Sequence, residues 1–253
     1  MSGILSVCHL GPTPYREGLA LQEALVRRRA AARDGTPGGA EATDWLLFPD
    51  HPPVLTMGRG GSERSLRVSR EALAARGIEW FDVARGGDLT WHGPGQLVGY
   101  PIVDLERRGR DLHRYLRDLE EVLILALGCW GLAARRVPGR TGVWVGEEKI
   151  ASLGIAVRQW IGYHGFALNV APDMGFFDLI HPCGLPGVRM TSLSARLGDS
   201  APTLDRARHE VAELLARRLG YDGLRWALLE EIQDPPGSIQ PMMAAPTTAH
   251  HAA

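Results

Sequence analysis

The chain has 253 residues and sets 28 Lys plus Arg against 29 Asp plus Glu, a formal net charge of −1; it is long enough to bury a core without staples, and its balance argues against a nucleic-acid or membrane-surface binder, which usually shows a basic excess. No run approaches the ~18 apolar residues of a transmembrane helix, and Met1 to Leu10 lacks the basic region and apolar run of a signal peptide. The cysteines Cys8, Cys129 and Cys183 form an odd, sparse set that suits a reduced, cytoplasmic chain better than a disulfide framework.

The first strand expected is Ile4 to Leu10, followed by an amphipathic helix over Leu19 to Arg29. Arg33 to Thr43, with Thr36-Pro37-Gly38-Gly39 at its middle, reads as a surface loop insertion. Trp45 to Phe48 and Val54 to Met57 are short apolar runs split by His51-Pro52-Pro53. Ser69 to Arg76 reads as a short helix capped by Ser69. Ile78 to Val83 reads as a strand that leads into a Gly-rich turn. Gln96 to Val103 is a further strand. Asp111 to Gly128 is the strongest helix, with Leu112, Tyr115, Leu116, Leu119, Val122 and Leu123 on one stripe. Three strand-like runs follow, Gly142 to Val145, Ile150 to Gln159 and Ile161 to Val170, the first two joined as a hairpin at Gly146-Glu147-Glu148. Asp205 to Leu219 is the last strong helix, and residues 233–253 read as a disordered C-terminal tail. Hairpins and adjacent strands, rather than regular strand–helix alternation, point to an α+β fold with a mixed sheet flanked by helices. No boundary divides 1–232 into two cores, so it is expected to be a single domain.

Three distant segments carry the candidate chemistry. The first runs from Arg85 to Gln96, and its glycines let backbone approach a ligand closely. It is neither a Walker A loop nor a dinucleotide fingerprint. The second, Gly142 to Gly154, holds Lys149, the only lysine among 27 arginines. A lone lysine on that background marks a site where guanidinium cannot substitute, because lysine is compact and can release its proton. A surface lysine solvated by Glu147 and Glu148 is the plainer reading. The third, His181 to Ser192, places Cys183 between proline and glycine, whereas Cys8 and Cys129 lie in apolar runs and read as buried filling. A loop thiol becomes a nucleophile when a cation lowers its pKa. Lys149 is one candidate cation. His181 is the other, and it would give a Cys–His hydrolase. The histidines have no paired ligand spacing, so no metal site is expected, and one or two of them are expected to line the pocket.

In order, RGGDLTWHGPGQLVGYPIVDL, TGVWVGEEKIASLGIAVRQWIGYHGFALNV and HPCGLPGVRMTSL resemble the lipoyl(octanoyl) transferase family across about residues 45 to 197. The resemblance implies a fold similar to the catalytic domains of biotin and lipoate protein ligases. It implies an acyltransferase that moves an octanoyl group from acyl carrier protein to a lysine of a lipoyl-accepting domain, an early step of lipoate synthesis. Lipoyl domains of 2-oxoacid dehydrogenase E2 subunits and the glycine cleavage H protein would be the acceptors. The family's acyl-thioester cysteine falls on Cys183 and its pKa-lowering lysine on Lys149. Its substrate contacts fall on Arg85, Gly86, Gly87, Asp88, Leu89, Thr90, Trp91 and His92, on Ser152, Leu153 and Gly154, and on Gly165, Phe166 and Ala167. Trp91 stands where the family commonly has a smaller aromatic, and Ser152 where it has alanine. A thioester donor needs no ATP, metal or other cofactor, and nucleic acid and membrane are not expected partners. Two rivals remain: an ATP-dependent lipoate–protein ligase, and a non-catalytic module that binds an acyl chain or cofactor.

Overall fold

The computed structural model describes residues 3–33, 43–182 and 187–233. The core of the expected 33–43 insertion, the tail beyond Gln233 and Cys183 itself lie outside the described residues. The elements in chain order are β1 (Ile4–Pro12), α1 (Tyr15–Arg33), β2 (Trp45–Asp50), β3 (Val54–Met57), α2 (Arg70–Ala74), β4 (Glu79–Asp82), β5 (Leu89–His92), β6 (Gln96–Asp104), α3 (Leu112–Cys129), β7 (Ala134–Val137), β8 (Arg140–Val145), β9 (Glu148–Arg158), β10 (Ile161–Asn169), β11 (Arg189–Met190), α4 (Leu193–Leu197), α5 (Leu204–Arg218), β12 (Gly223–Trp226) and α6 (Leu229–Gln233).

The large sheet runs β12-β1-β2-β6-β10-β9-β8-β7, with β11 added beside β9. Its β12/β1, β1/β2 and β11/β9 pairs are parallel and the others antiparallel, so the sheet is mixed as expected. Both faces are covered, and strand alternation shows how. Leu46 and Phe48 of β2 join α3 and α5 in one core, while Trp45 and Leu47 join α1 in the other. α3 begins where Asp111 accepts from the Arg114 N–H at 2.9 Å, a side-chain N-cap. Ser69 caps α2 in the same way, accepting from Ala72. α1 is fastened by ions as well as by apolar contact. The buried Arg29 bonds Asp44 at 2.8 Å and Asp104 at 3.0 Å, and Tyr221 donates to the far oxygen of Asp44. Removing one member would strand a buried charge, at a cost of several kcal/mol.

Four strands fall outside the expected pattern, among them the two-residue β11 beside β9. β7 and β12 close the two ends of the large sheet, and β5 forms half of what reads from the sequence as a Gly-rich turn. β5 belongs to a separate small sheet, β4-β3-β5, with its own core of Leu55, Leu89, Trp91, Phe177 and Ile180. α1 also starts at Tyr15 rather than Leu19, because Tyr15 is buried with its ring against His51 and Phe81. Cys129 is exposed and not buried filling. Cys129 lies seven residues past Val122, on the face of α3 that is buried through Tyr115, Leu119, Val122 and Ala126, but it is the last residue of the helix and the burial stops short of it.

Candidate active site

The small sheet reaches the large one through the turn before β5. Gly86 donates its N–H to the Ile155 carbonyl of β9 at 2.9 Å. Any Cβ at Gly154 would sit 2.8 Å from the Gly86 carbonyl and 3.0 Å from Arg85 Cδ, so only glycine lets this turn lie on the strand. Arg85 is buried and locks the turn by donating to the Thr56 carbonyl at 2.7 Å and hydroxyl at 2.8 Å. Asp88 accepts from Leu89 N–H and from the Ser65 hydroxyl at 2.6 Å. Ser65 in turn offers its carbonyl to His181 N–H at 2.6 Å, so Asp88 also steadies the approach to the third motif.

Between the turn and the sheet lies a narrow cleft. Arg85, Gly87, Asp88, Leu89, Thr90 and His92 form one wall. Ser152, Leu153 and Gly154 of β9 and Gly165, Phe166 and Ala167 of β10 form the other, with Lys149 at the β9 end. Of the residues singled out in the sequence, Gly86 and Trp91 are not among the lining. Trp91 is fully buried on the other side of β5, stacked on Phe176 at 4.8 Å, because successive strand residues face opposite ways. Tyr15, Tyr100 and His164 also line the cleft: Tyr100 and His164 fall inside the first two motifs without being singled out as contacts, His92 and His164 are the pocket-lining histidines expected, and Tyr15 alone lies outside every motif. Tyr15 arrives from a helix start and Tyr100 from a strand that reads only as core.

Lys149 is 1% exposed, so it is not a surface lysine solvated by its glutamates. Its ammonium donates to the Thr141 carbonyl at 2.8 Å. Gly142, at φ +132°, makes room for it, since a Cβ there would stand 2.4 Å from Lys149 Cε. Glu148 is held instead by Arg189 and Arg196. In register, Met190 of β11 lies opposite Lys149, and Thr191 N–H donates to the Lys149 carbonyl at 2.9 Å. The chain just past the third motif's loop is therefore fastened to the lysine's own strand.

A run of hydrogen bonds stiffens the floor. His92 Nδ1–H donates to Gln96, Gln96 to Asn169 and Asn169 to the Thr191 carbonyl, at 2.8, 2.9 and 2.9 Å. His51 donates to the Thr13 carbonyl at 2.7 Å, leaving its other nitrogen to accept from the Tyr100 hydroxyl at 2.8 Å. Burial pushes His51 down to about 4 and both His92 and His164 down to about 3, so all three are neutral imidazoles at neutral pH. His164 stands at φ +56°, a strained conformation for a non-glycine residue. Elsewhere, burial raises the Cys8 thiol to about 11, and the nearby Glu231 charge adds to the effect, so Cys8 is not a thiolate.

The chain matches the family model described as lipoyl protein ligase A/B catalytic domain over residues 14–216. A protein of Geobacter metallireducens named octanoyltransferase is 50% identical over 199 residues, 79% of this chain and 86% of its own length. An octanoyltransferase of Acidobacterium capsulatum is 42% identical over 96% of this chain and 99% of its own. The bipartite lipoate protein ligase of Thermoplasma acidophilum, solved in a study of that ligase and its E2 lipoyl domain, superposes with a TM-score of 0.64 at 18% identity, covering 91% of this chain and 89% of that one. Lipoate-protein ligase A bound with ATP gives 0.66 at 19% identity, over 92% and 91%. Those two structures share the fold, and by sequence the chain is an enzyme of the lipoyl protein ligase A/B catalytic-domain family, within its octanoyltransferases.

Proposed function

We propose that residues 1–232 work as one catalytic unit that moves an octanoyl group from acyl carrier protein to a lysine of a lipoyl-accepting domain, with Cys183 as the covalent carrier. The observation that carries this reading is a buried lysine ammonium at the end of a cleft walled by Leu89, Leu153 and Phe166, joined by β11 to the segment that contains Cys183. An apolar chain would lie against those walls with its carbonyl towards Lys149. The Cys183 thiolate attacks the donor's thioester carbonyl, and the carrier thiol leaves with the proton of the Lys149 ammonium. Lys149 is then neutral. The acceptor's lysine amine attacks the new thioester, passes its excess proton to Lys149, and expels Cys183 as a thiolate beside the restored ammonium. Each step leaves one cation beside one anion, or neither.

The acceptors on this reading are lipoyl domains of 2-oxoacid dehydrogenase E2 subunits and the glycine cleavage H protein, and the site of action is the cytoplasm. No helix among the described residues is long and apolar enough to cross a membrane. The fold shared with ATP-binding lipoate ligase favours one second reading, adenylation of a free acid. The test mixes the protein with octanoyl carrier protein and a lipoyl domain, without nucleotide, and weighs the acceptor. Gain of one octanoyl group, lost in Cys183→Ala, is expected. Transfer that requires ATP and free octanoate, and survives Cys183→Ala, would overturn the reading in favour of the ligase. Binding without any acyl adduct would leave a non-catalytic module.

A further inference from the structure

α3 buries one carboxylate, Glu120, which is 0% exposed although it stands beside the helix's apolar stripe. Its two oxygens have different partners. Oε2 accepts from Arg117 at 2.6 Å and from Arg136 Nε at 3.0 Å. Oε1 accepts from the Gly142 backbone N–H at 3.0 Å. That N–H and the Thr141 carbonyl belong to one peptide group, and the same carbonyl accepts from Lys149 Nζ at 2.8 Å. Anion and ammonium therefore hold opposite edges of a single rigid plane. The plane cannot turn without breaking one bond or the other. A peptide whose N–H is bonded to an anion is also polarised, which makes its carbonyl a stronger acceptor for a cation.

We propose that Glu120 is a positioning residue for Lys149, acting through the Thr141–Gly142 peptide. This deepens the function proposed above, because it says what holds the lysine charged and aimed before it meets the cysteine. The two arginines alone would satisfy a merely structural carboxylate on one oxygen. The second oxygen is committed to the peptide that carries the lysine. The neighbouring charges have partners of their own: Glu148 is held by Arg189 and Arg196, Glu121 pairs with Arg136, Arg140 lies over the Trp144 ring at 5.8 Å, and Arg85, which shares the cleft, is bonded to Thr56.

The test uses the full chain and needs no turnover. Lys149 is the only lysine, so lysine labelled with 13C at Cε gives one side-chain resonance whose titration reads its protonation directly. Glu120→Gln keeps the shape but removes the anion, and its single acceptor oxygen cannot serve both the arginines and Gly142. The lysine midpoint is expected to fall by about half a pH unit or more. Acylation of Cys183 is expected to slow at least about tenfold, with KM for the donor unchanged. Arg136→Gln, which strips a cation from the other oxygen, should lower thermal stability yet leave the lysine midpoint no lower than in the parent chain. If Glu120→Gln does not fold, Glu120→Asp replaces it. That side chain stays near the arginines but is one methylene too short for Gly142, and the same fall is expected. An unmoved midpoint in a folded variant overturns the inference. A fallen midpoint in a protein that never acylates Cys183 would uphold the peptide coupling and overturn the transfer reading instead.

Discussion

Acid should unfold this protein earlier than its carboxylates alone would. His51, His92 and His164 are buried and neutral, with pKa values pushed down to about 4, 3 and 3. Once unfolded they titrate near ~6.5. Below that pH the unfolded chain binds protons that the folded chain refuses, so the equilibrium moves towards unfolding. Their contribution is full above about pH 6.5 and drains away as pH falls towards the folded values. At pH 5 each unfolded imidazole gains about 2 kcal/mol from its proton, so the three together cost about 6 kcal/mol relative to pH 7. That is comparable with the whole stability of an ordinary domain, about 5–15 kcal/mol. The depressed carboxylates, such as Glu106 bonded to Arg110, hold their charge throughout this window. The assay is urea unfolding followed by tryptophan fluorescence at pH 7, 6 and 5. His164→Asn removes one titrating group and suits the left-handed backbone there, so it should remove about a third of the loss. A stability that changes by less than about 1 kcal/mol between pH 7 and 5 would refute the buried, neutral assignment.

Three further outcomes follow from the site. Lys149→Arg should lose at least about a hundredfold in single-turnover transfer, because a guanidinium neither fits over Gly142 nor gives up its proton; both half-reactions within a few-fold of the parent would refute this. Gly142→Ala should cost about 1–3 kcal/mol in thermal or urea unfolding and abolish transfer, since its Cβ would meet Lys149 Cε at 2.4 Å and the Ala151 carbonyl at 2.8 Å. Acyl donors two methylenes longer or shorter than the best one should differ by about tenfold in kcat/KM, at about 0.8 kcal/mol per buried methylene, and a flat profile from six to twelve carbons would count against the closed apolar walls.

What the sequence made legible follows its periodicities. β1, β2, β6, the β8–β9 hairpin and β10 carry apolar alternation or fully apolar runs, and both faces of their sheet are buried, so the pattern is strong. β7 and β12 are end strands. Their residues, such as Arg135, Arg136 and Arg225, keep charges on a half-exposed edge, which hides the strand signal. β5 was obscured because its partner β3 lies far back along the chain, and a pairing of that range leaves no local trace. At the site, the first two motifs brought thirteen of the cleft's lining residues into view as expected site residues, Tyr100 and His164 sat inside those motifs without being singled out as contacts, and Tyr15 lay outside every motif. Trp91 shows the opposite limit. A motif identifies a strand, while the pleat decides which of its residues meets the cleft. Glu120 was hidden by its neighbours, as a charged residue beside Leu119 in a leucine-rich helix reads as the solvent side of an amphipathic pattern.

The central claim is that Cys183 carries the acyl group. The direct measurement is intact mass followed by peptide mapping after the protein meets octanoyl carrier protein with no acceptor present. Cys8 is buried with its thiol pushed up to about 11, so the real competitor is Cys129, which is exposed. The account predicts one octanoyl group per chain, on the peptide that contains Cys183, discharged when a lipoyl domain is added. An octanoyl group on Cys129, or none on any cysteine while the acceptor still becomes acylated, would contradict it.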